Sequence, residues 1–198
     1  MATTIKSEKD VEYEGIGRVR FIKSARARSV SISVRPFTGI VVTVPARYPI
    51  EQAGQFVLRK RSWIIAQAGH VGTIEQNTRD RMDSVKGLDV LTAKLMLKSR
   101  LSDLACRFGI IYNRVFVRHQ KTRWGSCSSK DNININISLI VLPVELCDYV
   151  LIHELTHVRH KHHGPLFWAE LDKLVEKPKL LRQKLGQYAI PPDNFLRP

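Results

Sequence analysis

Two stretches of the chain alternate between apolar and polar positions. Val30, Ile32 and Val34 are interleaved with Ser29, Ser31, Ser33 and Arg35. Ile133, Ile135, Ile137 and Leu139 are interleaved with Asn132, Asn134, Asn136 and Ser138. A period of two puts one apolar set on one face of a strand, so both stretches predict half-buried strands, the second over residues 132–140. β-branched residues at 19–22, 29–34 and 40–44 extend the strand reading over residues 12–45, with Pro36-Phe37-Thr38-Gly39 as a turn. Residues 115–118 predict a further strand, and residues 128–131 a hairpin turn between it and the strand that starts at Asn132.

Helical spacing marks other segments. Ala53, Phe56, Val57, Ile64 and Ile65 predict one helix over residues 50–68. Residues 88–108 predict a long amphipathic helix with Leu91, Leu95, Leu101, Leu104 and Ala105 in the core, capped by Gly109. Between them, residues 69–86 are polar and aperiodic, which reads as a linker or exposed loop. Residues 146–158 are apolar almost all round (Leu146, Cys147, Tyr149, Val150, Leu151, Ile152, Leu155, Val158), the signature of a buried helix. Pro143 suits its start, and Glu145 meets the positive end of its dipole. Helices over 165–175 and 180–187 follow. Residues 1–10 are polar and read as a frayed terminus. The expected organisation is an N-terminal β-rich region with one helix (1–70), a linker or loop (71–86), a catalytic domain (87–190) and a C-terminal tail (191–198).

Inside the buried helix sit His153, Glu154 and His157. Histidines four apart share one helix face and can reach a single metal ion. The glutamate between them points to the side of the pair, where it can take a proton from a metal-activated water. Polar groups within a buried helix need partners, and a metal site supplies them. Five of the seven histidines, His153, His157, His160, His162 and His163, lie together. A catalytic zinc takes three protein ligands and keeps one position open. His160 shares the face but lies about 10 Å along the axis from His153, at about 1.5 Å per residue. A third ligand is more easily supplied where Gly164-Pro165 turns the chain. His163 is the first choice and His162 the second; His160 and His162 are expected on a solvated basic surface with Arg159 and Lys161. The spacing 153, 157, 163 equals the metzincin spacing, but position 160 is His where that motif has Gly, so the metzincin fold is not carried over.

Four blocks together carry a family resemblance: Lys121-Thr122-Arg123-Trp124-Gly125-Ser126-Cys127-Ser128, Leu142-Pro143-Val144-Glu145-Leu146, His153-Glu154-Leu155-Thr156-His157, and His163-Gly164-Pro165-Leu166-Phe167-Trp168. The chain resembles the YgjP-like metallopeptidase family, a bacterial relative of the SprT and WLM zinc proteases. The resemblance covers most of the chain and is strongest over residues 108–168. It implies an α+β fold with a minimal zincin-like core: an antiparallel sheet, a long helix and the His-Glu-x-x-His helix, with the N-terminal β-rich region added. It also implies one zinc per chain, held by His153, His157 and His163, with Glu154 as catalytic base. Arg123, Trp124 and Tyr149 are candidates for substrate or transition-state contacts. Against these roles, Arg123 equally suits a structural arginine, and Trp124 and Trp168 suit core or pocket-wall aromatics. The strand around residues 133–137 is the one expected to pair with an extended peptide.

Composition narrows the rest. The 43% hydrophobic fraction is enough for a core in a chain of 198 residues. No apolar run is long enough to cross a bilayer, and no signal-peptide pattern opens the chain. Cys106, Cys127 and Cys147 are an odd number without CxxC spacing, which argues against a disulfide framework and for a cytoplasmic location. Cys147 is expected in the core. The formal net charge is +14. No acid lies between Gly15 and Ile50, whereas Arg18, Arg20, Lys23, Arg26, Arg28, Arg35 and Arg47 do, and Arg59-Lys60-Arg61 follows. A basic face that attracts nucleic acid or nucleotides is one reading, a generally solvated basic surface the other. Three functions are therefore in play: a zinc metallopeptidase acting on peptides or proteins, a zinc-dependent nucleotide phosphoanhydride hydrolase, and a nucleic-acid-binding protein with a structural metal. An intact Glu154 argues against the last, because a structural site needs no base. Oligomeric state is not legible.

Overall fold

The computed structural model describes residues 5–193, 195 and 196. The chain divides into two compact units, residues 1–75 and 76–198. The first contains a four-stranded sheet in the order β1-β2-β4-β3, built from β1 (Ile5–Tyr13), β2 (Gly17–Ser24), β3 (Ser31–Arg35) and β4 (Gly39–Pro45). β1 and β3 run antiparallel to their neighbours, while β2 and β4 are parallel. Val19, Phe21, Ile40, Val42 and Val44 point to one face and pack with Ala53 and Val57 of helix α1 (Ile50–Arg59). Val30, Ile32 and Val34 pack against the same core, as the alternation predicts. The frayed-terminus reading of residues 1–10 is corrected from Ile5 onward, where β1 pairs along β2; residues 1–4 lie outside the described residues.

That pairing also changes the charge picture. β1 brings acids alongside β2, with Asp10 opposite Arg20 and Glu12 opposite Arg18. Arg18 and Arg20 both bond Asp10, at 3.0 and 3.4 Å. The acid-free stretch of sequence is thus not an acid-free surface, and Asp10 offsets part of the charge of these two arginines.

Helix α2 (Arg61–Ser84) replaces both the end of the single helix predicted over 50–68 and the predicted loop at 69–86. The chain breaks once, at Lys60, and then stays helical for seven turns. Gly69 and Gly72 lower helix propensity by about 1 kcal/mol each relative to alanine, and the polar surround hides the period. Local pairs and distant acceptors override this. Gln76 donates to Asp80 one turn on, and Arg81 donates to the carbonyls of Val141 and Leu142.

The second unit is built on α3 (Val90–Phe108), which Asp89 caps by accepting from the amides of Leu91 and Thr92. Gly109 closes it in the left-handed conformation, as predicted. Its buried residues are Ala93, Leu97, Leu101, Leu104 and Ala105. Leu91 and Leu95, expected in the core, are 67% and 59% exposed. The sheet has the order β5-β7-β6, with β5 (Arg114–Arg118), β6 (Gly125–Cys127) and β7 (Asn132–Asn136). It is mixed rather than antiparallel: β5 runs parallel to β7, and β6 antiparallel. The turn at 128–131 therefore joins β6 to β7, not β5 to β7. β7 ends at Asn136, where the side chain accepts from the Ser138 amide and starts a 3-10 helix over Ile137–Val141. The predicted strand over 132–140 is shortened accordingly.

The buried helix is α4 (Val144–Arg159), entered from Pro143 and packed against α3, β6 and the helices α5 (Pro165–Leu174) and α6 (Pro178–Leu185). Leu146, Leu151 and Leu155 are fully withdrawn from water, each stabilising the unit by about 1.5–3 kcal/mol before entropic losses. Beyond Ile190 the chain is anchored: the Pro191 carbonyl bonds His119, and Leu196 is buried in the core.

Candidate metal centre

His153 and His157 project from one face of α4, one turn apart, with ring centroids 4.9 Å apart. After Arg159 the helix stops, and His160 adopts an extended conformation. The chain then turns back, so that His163 reaches the same point. Its Nε2 lies 3.0 Å from Nε2 of His153 and 3.1 Å from Nε2 of His157. Gly164-Pro165 starts α5 directly afterwards, and Trp168 Nε1–H donates to the His163 carbonyl at 3.1 Å, fixing the turn. Phe167, fully buried, forms the floor under all three imidazoles, with centroid distances of 4.9, 4.5 and 4.7 Å to His153, His157 and His163.

His157 Nδ1 lies 3.0 Å from the His160 carbonyl. A carbonyl only accepts, so Nδ1 carries the proton and Nε2 is a bare lone pair. Burial, then the neighbouring imidazoles, holds His153 down at about 3, and burial also lowers His157. Both are neutral near pH 7, the state in which imidazole binds a metal. The three ligand nitrogens lie within 4.8 Å of one another, with His163 about 3 Å from each of the other two, and such lone pairs repel unless a cation lies among them. A tetrahedral zinc with bonds of about 2.0–2.1 Å spaces its ligands by about 3.3 Å, close to what these histidines adopt. His153, His157 and His163 thus fit a zinc ion. His162 is exposed and does not join them, and His160 serves through its backbone carbonyl.

Glu154 is buried, and its Oε2 has no hydrogen-bond partner among the described residues. Burial pushes its carboxyl up to about 8, partly offset by the charge of Arg123. It lies against Gly125 of β6, so closely that a Cβ there would force the Glu154 side chain to shift. Arg123 is exposed, within electrostatic reach of Glu154. Tyr149 is buried one turn before His153, with ring centroids 6.1 Å apart. Trp124 is half-buried against the core, and its carbonyl accepts from the Asn136 amide at 2.9 Å.

Sequence reasoning missed Asn136. Read as one polar position of an alternating strand, it is completely buried, and its amide donates to the carbonyls of Gln120 (2.7 Å) and Arg123 (2.8 Å). It fastens the segment that carries Arg123 and Trp124. The one available signal was its place at the end of the Asn-Ile repeat. Arg182 was missed as well. Its guanidinium lies 5.8 Å over the Trp168 ring, and its charge acts on Tyr149 and His153. The strand expected to pair with a peptide is also corrected: β7 is the central strand, and β6 is the edge that packs on α4.

Residues 75–188, more than half of the chain, match the family described as YgjP-like, metallopeptidase domain. None of the curated proteins matches. Among solved structures, the metallopeptidase zymogen of Methanocaldococcus jannaschii jannalysin is similar, at 22% identity and a TM-score of 0.42, over 46% of this chain and 94% of that one. So is the zymogen of Pyrococcus abyssi abylysin, at 23% identity and a TM-score of 0.41, over 48% and 99%. The extent of the family match decides membership: the chain belongs to the YgjP-like metallopeptidase family.

Proposed function

We propose that this YgjP-like chain is a zinc metallopeptidase, with His153, His157 and His163 as ligands of one zinc and Glu154 as general base. The observation that carries the reading is the convergence of three imidazole nitrogens beside a buried carboxylate with an unpartnered oxygen. When bound, zinc polarises the scissile carbonyl and lowers the pKa of a water. The residues do the rest. Glu154 accepts the water's proton on Oε2 and delivers it to the leaving amine. Burial raises the proton affinity of the carboxyl, the charge of a bound zinc would favour its ionised form, and Gly125 gives it room in one orientation. Arg123, whose charge acts on the carboxyl, is assigned as the cation for developing negative charge, with Tyr149 and Trp124 as candidate substrate contacts. The outer edge of β6, paired with no strand among the described residues, is the segment that would hold an extended peptide by main-chain pairing.

A second reading, hydrolysis of nucleotide phosphoanhydrides, is favoured by the two guanidiniums near the centre, Arg123 and Arg182. Nucleic-acid binding around a structural metal is the least favoured, since it leaves Glu154 without a task. The deciding experiment is metal analysis of wild type, His153→Ala and Glu154→Gln, with the same samples assayed on casein and on nucleoside triphosphates. One zinc in wild type and Glu154→Gln but not in His153→Ala, with casein cleaved by wild type only, supports the peptidase. Turnover of triphosphates alone selects the second reading, and no metal in wild type refutes both.

None of the described helices is long and apolar enough to cross a membrane. A cytoplasmic location remains part of this proposal, in keeping with three free thiols.

A further inference from the structure

The two edges of the N-terminal sheet are guarded unequally. β1 carries Glu8, Lys9, Asp10 and Glu12 along its length, a common protection against pairing with another chain. β3 at the opposite edge reads Ser31-Ile32-Ser33-Val34-Arg35 and has no charge before its last residue. Among the described residues no strand pairs with its outer side.

Beside this open edge the junction of α1 and α2 leaves a hollow of about 200 Å³. Val30, Ser31 and Ile32 line it from the strand, and Phe56, Lys60 and Trp63 from the helices. Trp63 is a large apolar side chain left 46% exposed in the lining of the hollow, whereas its neighbour Ile64 is buried in the core. The surroundings are cationic. Lys60 and Arg59 stand on the helical side, with Arg59 5.9 Å over the Phe56 ring. Arg28 and Arg35 flank the strand. All four are exposed, and none has an acidic partner among the described residues.

We propose that β3 and this hollow form a docking site for an extended acidic peptide segment, which adds to the sheet as a fifth strand. Main-chain pairing along Ser31–Arg35 supplies affinity without sequence preference. Alternate side chains of an added strand face the hollow, whose size and lining suit one apolar side chain. Flanking carboxylates meet Lys60, Arg59, Arg28 and Arg35, so charge complementarity selects an acidic partner over a basic one. The occupant is a protein segment rather than nucleic acid: an unpaired row of backbone amides and carbonyls matches another peptide backbone, and Asp10, bonded to both Arg18 and Arg20, weakens any phosphate-tracking surface there. The site lies wholly within residues 1–75 and does not depend on the metal centre.

The test uses the Glu154→Gln chain, with mass spectrometry of each peptide after titration to show that it has stayed intact. Fluorescently labelled peptides alternating glutamate with valine and one central phenylalanine are titrated by anisotropy, beside counterparts with lysine for glutamate. Two further versions are N-methylated on every second amide, one along each edge. Binding of the acidic peptide is expected, with loss on N-methylation of one edge only. Trp63→Ala should weaken it about tenfold, as for an interface anchor. Lys60→Glu should weaken it with a flattened salt dependence. A circular-dichroism melt of each variant separates lost binding from lost fold, and Trp63, being exposed, should leave the melt unchanged. Equal binding of acidic and lysine peptides, indifference to N-methylation, or full binding by Trp63→Ala overturns the proposal. So does concentration-dependent dimerisation abolished by Trp63→Ala, which would make a second copy of the chain the occupant, or tighter binding of single-stranded DNA lost in the same variant.

Discussion

Gly125 leaves the space that the Glu154 side chain fills: a Cβ at position 125 would stand 2.7 Å from Cγ of Glu154 and 2.8 Å from Oε1. Real carbons do not approach so closely, so Gly125→Ala must push the carboxylate aside. The variant should lose about 1–3 kcal/mol through overpacking, and hydrolysis should fall about 100-fold from a misplaced base. Zinc content should stay at the wild-type level. Thermal melts, metal analysis and kcat on one preparation check all three, and an unimpaired kcat would remove Glu154 from the reaction.

Glu154→Gln preserves size and removes basicity. Metal binding should persist, since the three imidazoles are untouched, and kcat should drop by about 10²–10⁴. Activity equal to wild type would end the general-base assignment.

His163 is exposed and reaches the other two histidines from beyond the helix end. His163→Ala should therefore lower zinc affinity by at least about 100-fold, while the fold survives. His162→Ala should leave affinity unchanged. Competition with a chromophoric chelator measures both, and the reverse ranking would transfer the ligand role to His162.

Asn136 ties three backbone groups together from a fully buried position. Asn136→Ala leaves the Gln120 and Arg123 carbonyls and the Ser138 amide without their partner, which should cost about 2–4 kcal/mol in urea unfolding. Hydrogen exchange should rise at the Ser138 amide and through the 120–124 segment. Unchanged stability would mean that the segment is held by Trp124 alone.

The three thiols should react in a fixed order. Burial pushes Cys147 up to about 12 and Cys127 above its ordinary value, whereas Cys106 is exposed. A raised thiol pKa lowers the thiolate fraction at any pH below it, and only the thiolate attacks. At pH 8 iodoacetamide should label Cys106 first and leave Cys147 unlabelled until the protein unfolds. Peptide mass mapping over time reads the order, and early labelling of Cys147 would show that α4 opens locally.

How much was legible in the sequence depended on the range of the interaction involved. The 153, 157 spacing is a property of one helix, and it survives folding unchanged. Gly109 as a C-cap and the Val30, Ile32, Val34 face are likewise local. Residues 69–86 were illegible because the bonds that help hold them helical, Arg81 to Val141 and Leu142 among them, span about sixty residues. Leu91 and Leu95 have the spacing of a buried stripe, but the face that packs is the one carrying Ala93 and Leu97.

The sequence by itself determined the groups on which the proposed chemistry rests: two imidazoles on one face with a carboxylate between them, a family signature around them, and a buried helix to carry them. These follow from covalent order and helical geometry. Only the tertiary structure decided that His163, the first of two candidates, reaches both helical imidazoles, that Gly125 of an unpredicted edge strand abuts Glu154, and that Asp10 bonds two arginines in a stretch without acids. Each of these joins groups distant in the chain or separated by a turn. Chain order carries no distance for such pairs until the core has packed.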